Sequence, residues 1–329
     1  MTTFPKPRVV ISKCIGFEPC RYNGQIVLDD FVPRLEPHVE FVCICPEVEI
    51  GLGTPRAPVR VVSSKGSFKL IQPESGLDLT EKMRSFSSGF LNALGEIDGF
   101  ILKNRSPSCG IGDVKFYAGP EKSAALGRTS GFFGAAVLER FGDRAIEDEG
   151  RLNHLGIREH FLTRIFAFAR FRDVRRSESI HDLVRFHAAN KLLLMACNQT
   201  KLRELGRIVA NQDGKQTSAV LELYRHSFHD AFRKPPRHAS PVNVLMHALG
   251  YFKKELSPRE KRHFLNVLEM YRLGTAPLSS AVSIIRSWIV RFEIDYLQEQ
   301  TFFDPFPEEL MAADHASRER AIQARDKSV

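Results

Sequence analysis

The stretch Val39-Glu-Phe-Val-Cys-Ile-Cys-Pro-Glu47 decides how the first half of the chain is read. Residues 39–44 are a β-branched and aromatic run of strand length, and Pro46 ends it because proline has no amide to give a ladder. Working outward, the same pattern of a short apolar run halted by polar or turn residues recurs. It appears at residues 8–11 before Ser12-Lys-Cys14, and at 99–102 before Asn104-Arg-Ser-Pro107. Residues 60–62 and 68–71 read as a hairpin about Lys65-Gly66-Ser67. A helix begins at Thr80 with Phe86, Phe90, Leu91 and Leu94 on its apolar face. A second helix at 131–141 precedes a last strand around Ala145-Ile146. This alternation predicts an α/β doubly wound, mainly parallel sheet over residues 1–150.

Beyond Gly156 the apolar spacing changes to about 3.6 residues and strand signals stop. Helices are expected at 158–172, 181–198, 201–211, 218–232, 242–256, 258–272, 279–288 and 289–300. An all-α domain over 151–310 follows, and the polar residues 311–329 read as a disordered tail.

Charge divides along the same line. Residues 1–150 hold 18 Lys and Arg against 19 Asp and Glu, a net of −1; residues 151–329 hold 29 against 20, a net of +9. A basic surface on the helical half suits a polyanion, although a solvated Arg-rich helix face has the same composition. Arg170, Arg172, Arg175, Arg176, the 233–238 loop, Lys253, Lys254, Arg259, Lys261 and Arg262 are the candidate groups. The N-terminus has no apolar leader and no run approaches the roughly 18 residues of a membrane span, so cytoplasm is the expected location.

A reducing compartment argues against pairing the six cysteines as structural disulfides. Five of them fall in the first third, and no pair of C-x-x-C motifs marks a closed zinc site. Cys14, Cys45 and Cys109 each follow the end of a predicted buried strand, and in a parallel sheet those ends share one edge. Three thiolates without a fourth protein ligand suit a [4Fe–4S] cluster with one iron not bound by protein. Inert buried thiols and a nucleophilic cysteine are the competing readings, the latter weakened by the lack of a neighbouring His. Cys43 reads as a small core residue, and Cys20 as ligand, neighbour or spectator. Glu47, two residues past Cys45, is placed to move protons. The hydroxyls of Ser106-Pro-Ser-Cys-Gly110 can bond sulfide, substrate or water, or merely shape a turn. Arg21 and Arg56 are candidates for an anion or a substrate carbonyl.

These residues resemble the thiouracil desulfidase family. The matching segments are Ser12-Lys-Cys-Ile-Gly16, Pro19-Cys-Arg-Tyr-Asn-Gly24, Cys45-Pro-Glu47, Gly53-Thr-Pro-Arg56, Thr80 and Lys103-Asn-Arg-Ser-Pro-Ser-Cys-Gly110. The second half resembles a helical companion domain through His187-Ala-Ala-Asn-Lys191, Glu204-Leu-Gly-Arg207, Asn243–His247 and Gly250–Lys254. The resemblance implies a [4Fe–4S] cluster on Cys14, Cys45 and Cys109, with Glu47 and Ser106 as catalytic groups. Cys20 also lies within the matched pattern. Two-domain chains of this kind are similar to tRNA 4-thiouridine desulfidases, which implies thiolated tRNA as partner and substrate. Removal of sulfur would leave uridine and sulfide without redox change. Free thiouracil or a thionucleoside is the alternative substrate, and a non-enzymatic iron–sulfur sensor that binds nucleic acid is the alternative class.

Overall fold

The computed structural model describes residues 3–64 and 66–311. The expected tail therefore lies, apart from Met311, outside the described residues. Cα packing divides the chain into two units, one running to Ala169 and resuming at Phe306, the other Arg170–Pro305.

The first unit contains, in order, β1 (Arg8–Ser12), α1 (Val32–Leu35), β2 (Glu40–Ile44), α2 (Pro46–Glu49), β3 (Arg60–Ser64), β4 (Ser67–Gln72), β5 (Leu77–Asp78), α3 (Thr80–Ala93), β6 (Gly99–Leu102), β7 (Ile111–Tyr117), β8 (Gly127–Ser130), α4 (Phe132–Phe141), β9 (Ala145–Asp148) and the start of α5 (Leu155–Ser177). Four strands form an all-parallel sheet in the order β2-β1-β6-β9. Its strands alternate between two cores. Val9, Ile11 and Ile101 pack with Val32 and Leu35 of α1 and with Phe161, Leu162, Ile165 and Phe166 of α5. Val10, Phe100 and Leu102 point the other way, to Leu91 of α3 and Phe133 and Val137 of α4. Both faces are covered, as a parallel sheet requires and as the unbroken apolar strands foretold.

The hairpin also forms, with β3 and β4 antiparallel, but it belongs to a second sheet in the order β5-β4-β3-β7-β8. The sequence reading assigned no element to residues 111–117. Val114 and Phe116 in fact alternate inward on β7, and Val114 joins a third core with Val61, Leu70 and Met83. The division at Ala169 rather than at residue 150 has a physical cause: the first turns of α5 supply four buried side chains to the sheet core.

The second unit holds the rest of α5 and then α6 (Ile180–Ala189), α7 (Lys191–Cys197), α8 (Gln199–Ala210), α9 (Thr217–Ala231), α10 (Ser240–Leu249), α11 (Pro258–Arg272), α12 (Leu278–Phe292) and α13 (Asp295–Gln298). Phe171 centres an aromatic core, 5.4 Å from Phe186 and 5.3 Å from both Tyr224 and Phe228 between ring centroids. The helix expected at 181–198 is two helices, broken at Asn190, whose side chain donates 2.8 Å to the Phe186 carbonyl and accepts 2.8 Å from Thr301. Conversely, 279–288 and the first four residues of the stretch expected at 289–300 form one helix, which stops where Glu293 turns left-handed at φ 49°. Among the described residues no helix is long and apolar enough to cross a membrane.

Candidate active site

Because β1, β2 and β6 run parallel, their C-terminal ends lie on one edge of the sheet. Cys14 follows the end of β1 by two residues, Cys45 follows β2 directly, and Cys109 sits in the loop after β6. Two bonds fix the edge: Lys13 N–H donates 2.8 Å to the Ile44 carbonyl, and the Lys103 amide donates 2.9 Å to Ser12 Oγ. All six cysteines are free thiols, and Cys14, Cys20, Cys45 and Cys109 are buried.

Cys20 completes the group. Its thiol hydrogen-bonds with those of Cys14 and Cys45, and the Cys45 thiol also lies 3.7 Å from the Cys20 carbonyl as donor. The bond with Cys14, with burial added, pushes the Cys20 thiol up to about 11. Contact with Cys20 and then burial push Cys45 up as well. Burial raises Cys109 to about 12, and Cys45 and Glu47 act on it in the same direction. Thiols held neutral like this must release protons to bind metal. Cys43 does not join them; it is a partly buried member of the core beside β1.

The Cys109 loop is held by its own polar groups. Ser106 Oγ accepts from the amides of Ser108 at 3.2 Å and Cys109 at 3.1 Å. The N-terminus of α4 closes onto the same loop, its otherwise orphaned amides donating to loop carbonyls. Phe132 donates to Pro107 at 3.1 Å, and Gly134 to Ser108 at 3.0 Å. Gly131 and Gly134 make this approach attainable, since a Cβ at either would collide with the backbone of residues 107–110.

Glu47 is the second residue of α2, a short helix with Cys45 at its N-cap and Pro46 in its first position, where the missing amide costs nothing. Its Oε2 accepts from Arg56 Nε at 2.8 Å, and Arg56 Nη2 lies 2.8 Å from the same oxygen as an ion pair. Its Oε1 receives the Ser108 hydroxyl at 2.9 Å. Arg56 Nη1 donates onward to the carbonyls of Cys20, at 3.0 Å, and Gly53, at 2.8 Å.

The structure thus gathers Cys14, Cys20, Cys45, Cys109, Glu47 and the Ser106 loop at one edge. Arg56, expected to meet an anion or a substrate carbonyl, spends its donors within the protein. Arg21 lies apart from this network, over the Tyr22 ring at 5.9 Å. Ser108 was not singled out in the sequence, where nothing distinguishes two serines of one turn. Among the described residues no three His, Cys, Asp or Glu side chains surround a point where a single metal ion would sit. A cavity of about 800 Å³ between α3, α4 and the second sheet includes none of the four cysteines.

In the second unit, two of the arginines named for polyanion binding are turned inward. Arg172 is buried, and Arg170 donates to the carbonyls of Pro305 and Asp304 at 2.9 and 3.1 Å. Arg233, Lys234, Arg237, Lys253, Lys254 and Arg262 are exposed. Exposed His238 stacks on Tyr271 with ring centroids 4.2 Å apart.

Residues 9–149 match the model of the 2-thiouracil desulfurase family, and residues 191–307 match a family described as protein of unknown function, DUF1722. The chain is 32% identical over 154 residues to the uncharacterized protein YbbK of Bacillus subtilis, covering 45% of this chain and 99% of YbbK. It is 26% identical over 172 residues to the uncharacterized protein YbgA of Escherichia coli, covering 52% of this chain and 92% of YbgA. Among solved structures it is similar to one titled [4Fe-4S]-dependent thiouracil desulfidase TudS, with 30% identity, coverage of 45% of this chain and 94% of that one, and a TM-score of 0.36.

Proposed function

The chain belongs to the 2-thiouracil desulfurase family through residues 9–149, and from that premise we propose that it removes sulfur from a thiolated uracil, with 4-thiouridine in tRNA as the substrate. The observation that carries the reading is the gathering of Cys14, Cys45 and Cys109 at one sheet edge with Glu47 two residues after Cys45.

This donor set fits an iron–sulfur cluster. It offers buried thiols without disulfide partners, and thiolate is the usual cluster ligand. A cube binds each thiolate through a different iron, so its ligands need not converge on one point. Cys14, Cys45 and Cys109 would hold it, leaving one iron without a protein ligand and Cys20 beside two of the ligands. When bound, the cluster supplies a Lewis-acidic iron suited to a soft sulfur atom.

The chain's own residues then handle the water and its protons. Glu47, fixed by Arg56 and Ser108, takes a proton from the water that attacks C4 of the thiolated base. The carbon–sulfur bond breaks as the carbonyl forms, and sulfur leaves as hydrogen sulfide. One water enters, one hydrogen sulfide departs, and neither carbon nor sulfur changes oxidation level, so no reductant is needed. The Ser106 hydroxyl accepts two backbone amides and thereby shapes the Cys109 loop, and its proton is the one it has to donate, to the Cys109 sulfur, to substrate or to water.

Binding of tRNA rests on the second unit. Its net charge, the exposed cations at 233–237 and 253–254, and the stacked His238–Tyr271 pair suit phosphates interleaved with unstacked bases. The test is hydrogen sulfide release by anaerobically reconstituted protein from 4-thiouridine tRNA and from free 4-thiouracil side by side. Faster release from tRNA supports the proposal, release from the free base alone shifts the substrate, and release from neither rejects it.

A further inference from the structure

We infer that Arg56 and Ser108 are positioning residues that leave Glu47 a single direction in which to take a proton; this rests on Glu47 being the base of the proposed reaction. An ionised carboxylate has about four acceptor sites. The Arg56 guanidinium covers Oε2, with Nε donating at 2.8 Å and Nη2 equally close, and the Ser108 hydroxyl occupies one site on Oε1 at 2.9 Å. One site on Oε1 remains. Oε1 is therefore the oxygen that receives the proton, and its orientation is set from two sides.

The two clamps come from different parts of the fold, which makes the arrangement more than a local turn. Arg56 is anchored by Nη1 to the carbonyls of Cys20 and Gly53, so it ties the acid to the loop that carries Cys20. Ser108 is anchored through its carbonyl to Gly134 of α4, at 3.0 Å, and neighbours Cys109. Glu47 is thereby registered against both cysteine loops. The side chains of Arg56 and Glu47 are only 5% and 10% exposed, so the pair is not an exposed ion pair of negligible worth. The planar guanidinium faces Oε2 with Nε and Nη2 while Nη1 reaches backbone carbonyls, a fixed set of directions that a lysine ammonium does not offer. The same geometry removes Arg56 as a substrate anchor, because Nε and Nη1 donate to protein atoms and Nη2 lies against the Glu47 carboxylate.

The experiment uses the full chain, anaerobically reconstituted, with Arg56→Gln, Ser108→Ala, Ser108→Thr and Glu47→Gln, assayed on 4-thiouracil and on thiolated tRNA. Misplacing a reacting group by about 1 Å costs roughly 100-fold. Arg56→Gln is expected to lower kcat by about that factor with KM unchanged, and Ser108→Ala by roughly tenfold, with Ser108→Thr restoring most of it. Cluster absorbance should stay at the wild-type level in all four. A raised KM with unaltered kcat in Arg56→Gln would show a substrate anchor and overturn the inference, as would normal kcat in both Arg56→Gln and Ser108→Ala. Full activity in Glu47→Gln would instead overturn the base reading itself. Independently of turnover, melts of cluster-free protein read the pairing. Glu47→Gln should lower Tm by several degrees, and adding Arg56→Gln should lower it no further; simple addition of the two losses would contradict the clamp.

Discussion

Ser12 Oγ accepts the backbone amide of Lys103 at 2.9 Å, joining the last residue of β1 to the first residue beyond β6. Those are the strands whose extensions carry Cys14 and Cys109. A side chain, not a ladder bond, thus sets the spacing of two cysteine loops.

Ser12→Ala should accordingly be felt at the site. Ser12 is buried, and its loss leaves the Lys103 amide without this acceptor, at a cost of about 1–3 kcal/mol. Denaturant melts should show that loss, and reconstituted protein should release iron to a chelator faster than wild type. Unchanged iron retention would mean the tie is dispensable to the cysteines.

Gly134→Ala tests the seat of the Cys109 loop. The added methyl would meet the carbonyls of Gly110 and Cys109, a backbone clash no rotamer relieves. Overpacking of this kind costs about 1–3 kcal/mol, and here the displaced atoms belong to a proposed ligand. Stability and iron content should fall together. Gly89→Ala, on α3, where an added Cβ meets nothing, is the matched control and should leave iron content unchanged and raise stability by up to about 1 kcal/mol.

Asp78 gives a pH dependence unrelated to the cysteines. Its carboxylate accepts from Thr80 and from Lys69, and these contacts, the Thr80 hydroxyl first, lower it to about 2 from the usual 3.8. The folded state binds this proton less readily than the unfolded one, so the contribution is present above pH 4 and is lost as pH falls toward 2. Asp78→Asn should therefore melt earlier than wild type at pH 6, and the difference should shrink toward pH 2 and vanish below it. A constant difference across that range would contradict the assignment.

Affinity for tRNA should fall steeply with salt if the exposed cations of the second unit meet phosphates. Removing Arg233, Lys234 and Arg237 together should reduce the slope of log K against log salt by about 2–3. The buried Arg172, exchanged for Met, should leave the slope alone. Equal loss of slope in both variants would reject the surface assignment.

The parallel sheet was legible because β1 and β6 are buried on both faces and read as unbroken apolar runs, and the edge strand β2 keeps an apolar run after Glu40. The second sheet was harder to see. β7 contains Gly112 and a register irregularity between Ile111 and Val114, which hides its alternation, and β8 has no apolar residue at all. At the site, the strand-end placement of Cys14, Cys45 and Cys109 could be read from spacing. The partnership of Ser108 and Arg56 with Glu47 could not, because it depends on loops 61 and 9 residues away in sequence meeting in space. Helix joints at Asn190 and Glu293 were missed for a similar reason: a side-chain bond to Thr301 and a left-handed residue leave no mark in apolar periodicity.

The most direct measurement is the iron and acid-labile sulfide content of anaerobically reconstituted protein, wild type beside Cys14→Ser, Cys45→Ser, Cys109→Ser and Cys43→Ser. The account predicts about four of each per wild-type chain, near-complete loss in the first three variants, and wild-type content in the fourth. Wild-type protein that retains neither iron nor sulfide, or three variants that retain both, would contradict it.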